Sequence, residues 1–136
     1  MSDEEFIARF ENGTLPPDSF HHREHVKMAF LYLCRYPVLE ALERFATALK
    51  QHSIRKGTPE RYNETVTWAF VFLIRERMAR HAAQQTWDEF SSNNPDLLNW
   101  QNSILKNYYR DETLSSNLAK QTFLFPDKTM RQTNAA

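Results

Sequence analysis

The chain has 136 residues, and its 17 lysines and arginines balance 17 aspartates and glutamates, so the formal charge is zero. That length fits one domain able to bury its own core, and a composition 41% hydrophobic and 13% aromatic is too apolar for a disordered chain. Two glycines and one cysteine exclude Gly-rich phosphate loops, an internal disulfide and multi-cysteine zinc clusters, while the charge balance argues against a broad electrostatic grip on nucleic acid.

A short helix is predicted from about Asp3 to Glu11, with Phe6, Ile7 and Phe10 on one face and Asn12-Gly13 as its stop. After a loop over residues 14–19, a second helix covers about His22 to Arg35. A third starts at Pro37 and runs to about Lys56, with Ala41, Leu42, Phe45, Ala46 and Leu49 at helical spacing. Thr58-Pro59-Glu60 has the makings of a helix start, with a cap, a proline and an acid in order, so the fourth helix is expected from there to about Ala83. Thr86-Trp87-Asp88-Glu89 fits a capping box that opens a fifth. Asn94-Pro95-Asp96 opens a sixth, striped by Leu97, Leu98, Gln101, Ile104, Leu105 and Tyr108. A last short helix falls between Asp111 and Lys120, and the tail over residues 126–136 is expected to fray. No segment alternates with period two. The expectation is an all-α, single-domain bundle of about five to seven helices spanning residues 1–136.

The first residues, Met1-Ser2-Asp3-Glu4-Glu5, hold no apolar signal-peptide core. The longest uncharged run, Thr65 to Ile74, is far short of a membrane span. A cytoplasmic location without membrane association is therefore expected, and the oligomeric state stays unread, with a homo-oligomer left open.

The densest polar chemistry lies in Phe20-His21-His22-Arg23-Glu24-His25. On a helical wheel Glu24, Lys27 and Arg35 share one side, and Val26, Ala29, Phe30 and Leu33 the other. His22 then stands near the middle of the inward face, His25 one turn on and off-centre, and His21 at the solvent border. Leu31 breaks the pattern by falling on the charged side. His21-x-x-Glu24-His25 also spells an inverted zinc-protease string, but the wheel sends its glutamate to solvent. On the fourth helix, Thr65 to Ile74 carries no charge, which marks a helix buried all round. Its threonines, Thr65 and Thr67, are read as hydroxyls bonding back to their own helix. Glu64 opens that run beside Tyr62 and Asn63, and a carboxylate there needs a partner. Arg75, Arg77, Arg80 and His81 are read as complementing the negative end of that helix.

Phe20-x-His22-x-x-His25, then Tyr62-Asn63-Glu64-Thr65, Leu114-Ser115-Ser116 and Phe123-Leu124-Phe125-Pro126-Asp127, resemble the motifs of a family of small, uncharacterised, all-helical bacterial proteins with F-x-H-x-x-H and Y-H-E-T signatures. The resemblance covers nearly the whole chain and implies His22 and His25, rather than His21, as the family's pair. Asn63 stands where the family pattern has histidine, which puts a three-histidine site in doubt.

Two functional readings follow. In the first, His22, His25 and Glu64 converge in a bundle core with Tyr62 at the rim, and bind a small molecule. They would act either as ligands of a divalent metal such as zinc or iron, or as acid–base groups without one. In the second, the same His/Glu cluster is a buried polar network fixing helix register in a non-catalytic binding or interaction module. Whether the protein is an enzyme stays open at this level, and nucleic acid is an unfavoured partner.

Overall fold

The computed structural model describes residues 1–128. Among them are seven α-helices and no strand: α1 (Asp3–Asn12), α2 (His22–Arg35), α3 (Val38–Arg55), α4 (Glu64–Ala79), α5 (Trp87–Asn93), α6 (Asp111–Leu114) and α7 (Asn117–Gln121). The all-α bundle read from the sequence is the fold observed. Helices α2, α3 and α4 pack on one another, with α1 laid against α3, α5 against α2, and α7 against α4.

The first three helices begin and end where their end residues require. Ser2 caps α1 by accepting from the Glu5 amide, and Gly13 closes it in the left-handed conformation. Arg55 lies over Gly13, so closely that a Cβ there would collide with it, and donates to the Glu11 carbonyl at 3.1 Å. Glu24 holds the start of α2 by accepting from the His21 amide at 2.8 Å. Helix α2 buries Val26 and every residue from Met28 to Leu33, because α3, α4 and α5 cover it on several sides. Leu31, out of place on the wheel, is buried for that reason.

Three predicted helices differ. The fourth starts at Glu64, not Thr58. Pro59–Arg61 is an isolated 3-10 turn, and Tyr62 and Asn63 are extended. Asn63 is the true cap: its Oδ1 accepts from the Val66 amide at 3.0 Å, and its Nδ2 donates to the Leu114 carbonyl at 2.7 Å. The helix ends at Ala79, and His81 Nδ1 donates to the Ala83 carbonyl in the turn that follows. The sixth helix is instead two 3-10 turns, Pro95–Leu98 and Ile104–Asn107. Between them Asn99 accepts from the Asn102 amide and Ser103 from the Leu105 amide, local bonds that compete with a helix. The last splits into α6 and α7, because the Ser116 hydroxyl caps a new start by accepting from Ala119.

Arg77 does more than balance a helix end. It makes a two-pronged contact with Asp96, at 2.8 and 3.1 Å, and donates to Asn94, tying α4 to the turn after α5.

Thr65 does not bond back to its own helix. Wholly buried, its hydroxyl donates to the Thr122 carbonyl at 2.8 Å and accepts from the Leu124 amide at 3.1 Å, clasping the C-terminal segment to α4. Phe123 then stacks on Trp68 at 5.5 Å and meets the edge of Phe72. Within the tail expected to fray from residue 126, Asp127 and Lys128 make hydrogen bonds to the preceding segment. Asp127 accepts from the Arg110 amide and the Thr113 hydroxyl, and the Lys128 amide donates to the Tyr108 carbonyl. Residues 129–136 of that predicted tail lie outside the described residues.

Thr65→Val keeps the shape but leaves a carbonyl and an amide unpaired at a buried point, so it is expected to cost about 1–3 kcal/mol. Urea denaturation measures the loss, and amide exchange at Leu124 should rise. Unchanged protection there would show that the clasp contributes nothing.

Candidate functional site: the histidines of the second helix

His22 is the first residue of α2 and points inward. Its Nε2 donates to the Leu97 carbonyl at 2.8 Å. Its ring meets the edge of Phe70 from α4 at 5.1 Å and lies 4.9 Å from Trp100. The hydrogen bond holds the tautomer with the proton on Nε2. Burial lowers its pKa, and the Leu97 carbonyl opposes that in part.

His25, one turn later, packs on Phe20, with ring centroids 4.3 Å apart. Phe20 in turn meets His52 of α3 at 4.8 Å and stacks on Phe10 of α1 at 4.8 Å. The Phe20 ring is thus the plug where α1, α2 and α3 meet. Burial, reinforced by the positive potential of His22, His52, Lys56 and His21, pushes the His25 pKa down to about 3. His52 is lowered too, by burial and then by Lys56 and Arg55. These are neutral rings in an aromatic setting at neutral pH. His52 was not singled out in the sequence, although its position three residues past Leu49 puts it on the inward stripe of α3.

Glu64 lies elsewhere. It accepts from the Tyr62 hydroxyl at 2.5 Å and stands 3.9 Å from Lys50 Nζ. Burial and the neighbouring carboxylate raise the Tyr62 pKa. His22 meets α4 at Phe70, six residues past Glu64, which is about 9 Å along the helix axis. The structure therefore brings His22 near His25, and Tyr62 to Glu64, as two separate pairs. Among the described residues no group of three His, Cys, Asp or Glu side chains is placed to hold a metal ion. The expected ligand set of His22, His25 and Glu64 does not form, because Glu64 at the first turn of α4 is drawn to α3. His21, as the wheel indicates, is exposed, with Nε2 donating to Asp18 at 2.9 Å.

Two surface hollows stand out. One, of about 860 Å³, runs along the outer side of α3, and the other, of about 400 Å³, lies between α3 and α7. Neither is lined by His22, His25 or Glu64, whereas Tyr62 lines the second. Among the described residues no helix is long and apolar enough to cross a membrane. No family model matches the chain, and no curated protein or solved structure gives a significant match.

The depressed imidazole pKa values have a definite sign. The unfolded chain takes up protons below the ordinary histidine value of 6.5, while folded His25 resists them down to about 3. Stability is thus fully present above about pH 6.5 and is lost as pH falls, with His25 alone contributing up to about 1.4 kcal/mol per pH unit. Asp96 and Asp127, held below the ordinary carboxylate value of 3.8 by Arg77 and by Thr113 respectively, add to the loss only near and below that value. Denaturation between about pH 6.5 and 4 should therefore show a slope that His25→Gln flattens by about 1 kcal/mol per unit. An unaltered slope in the variant would show that His25 is not the group concerned.

Proposed function

We propose that the chain is a non-catalytic helical binding module whose histidines and Glu64 are structural polar groups that set how the helices pack. The observation that carries the reading is how these groups are already used. The Nε2 of His22 is bound to a backbone carbonyl, the His25 ring is packed against Phe20, and Glu64 is held by Tyr62 and Lys50. A buried polar group bound in this way specifies register, because misplacing it leaves it unpaired at a cost of about 1–3 kcal/mol. Position 63 supports the same view. Asn63 caps α4 and ties it to α6, so the residue that replaces the family histidine has a structural task of its own. On this reading the chain belongs with the small bacterial helical proteins that its motifs resemble, works in the cytoplasm, and takes a small molecule as partner.

Metal titration separates this from the metal-enzyme reading. Thermal unfolding of the wild-type chain should be indifferent to zinc, to ferrous iron and to a chelator. His22→Ala, which strands the Leu97 carbonyl, should lower Tm by several degrees, about 1–3 kcal/mol, whether metal is present or not. Stabilisation by zinc or iron that disappears in His22→Ala and His25→Ala would replace the module with a metal protein.

A further inference from the structure

The hollow between α3 and α7 differs from the groove along α3 in what its basic groups are doing. In the larger groove along α3 the one basic side chain of the lining is already paired: Arg44 meets Glu40 at 2.8 Å, and Glu11 accepts from the Tyr32 hydroxyl. In the smaller hollow one of the two lysines has no such partner among the described residues. Lys120 is half-buried, and no carboxylate comes within ion-pair distance of it among the described residues. Lys50 opposes it from α3, with its ammonium 5.2 Å from the centre of the Tyr62 ring and at the loose distance of 3.9 Å from Glu64.

The remaining walls supply shape. Tyr62 is buried, and its hydroxyl is fixed by the hydrogen bond to Glu64, so its ring cannot swing away. Ile54, 57% exposed, and Pro59 form an apolar side. Gln121 of α7 offers an amide that can both donate and accept. A volume of about 400 Å³ lies within the range that holds small ligands. An ammonium group over an aromatic floor, with a second lysine in the lining and an aliphatic wall beside it, matches a molecule with an acidic head and a flat apolar body. Glu60 at the hollow's border disfavours a second negative charge on the far end of such a ligand.

We propose that this hollow is a binding site for a small organic monoanion, an aromatic or aliphatic carboxylate, whose acidic head lies between Lys50 and Lys120 and whose body lies against Tyr62, Ile54 and Pro59. The assignment rests on the binding-module reading and names its ligand class. Charge-assisted hydrogen bonds from the lysines supply the affinity for the head. The preset ring and wall reduce the ordering cost of the body.

Amide chemical-shift mapping of the full chain with benzoate tests it, with benzamide as the neutral control. Saturable shifts are expected at Ile54, Tyr62 and Gln121 with benzoate at millimolar concentration or below, and none with benzamide. Lys120→Ala and Lys50→Ala, both at surface positions, should each weaken binding by about five- to tenfold while the spectrum stays that of a folded protein. Absence of shifts, equal response to benzamide, or unchanged affinity in both variants overturns the assignment. Zinc-dependent shifts centred on His22 and His25 would overturn the module reading instead, so the two failures are told apart by where the spectrum moves.

Discussion

Helix α4 has ten residues from Thr65 to Ile74 without a charge, and although it is not buried all round as that run suggests, Phe72 being 39% exposed, most of its surface must be kept from water. The fold is arranged around covering it. Helices α2 and α3 take one side, α7 another, and the outer strip of Trp68 and Phe72 is partly covered by Phe123 from the C-terminal segment. The cover needs a fixed path for that segment. The Thr65 hydroxyl, bound to the backbone on both sides of Phe123, provides it. Covering α4 also decides where its charge can go. Glu64 sits at the one end where a phenol and an ammonium group reach it.

The histidines obey a similar constraint. An imidazole brought inside must stay neutral or find an anion, since a buried unpaired charge is expensive. Among the described residues no carboxylate is offered to His25 or His52; the neighbouring ionisable groups are other histidines, Lys56 and Arg55, all of them basic. The rings accordingly act as polarised aromatics beside Phe20, and the acid sensitivity of the fold is the cost.

Much of this was readable along the chain. The extents of α1, α2 and α3 follow from caps, prolines and apolar spacing, and the inward direction of His22 and His25 follows from a wheel with 100° per residue. The errors fall where short-range bonds rival a helix. Thr58-Pro59-Glu60 has the composition of a helix start, yet Asn63 supplies the better cap five residues later because it also reaches Leu114. The stripe from Leu97 to Tyr108 is apolar at helical spacing, but Asn99 and Ser103 hold it as two turns. A pattern of burial does not distinguish a continuous helix from two turns that bury the same residues.

The sequence was sufficient for the class of fold, the helix that lies at its centre, and the faces on which His21, His22 and His25 lie, because those depend on spacing and on the aversion of apolar side chains to water. Which groups meet could not be obtained that way. His22 might have faced Glu64 from the same wheel, and the placement of α3 sent Glu64 to Lys50 and Tyr62 instead. Convergence between helices is set by their relative rotation and sliding, a property of the packed whole that no single segment encodes. The same holds for the hollow over Tyr62, assembled from residues 50, 54 and 62 and from a helix more than fifty residues further along the chain.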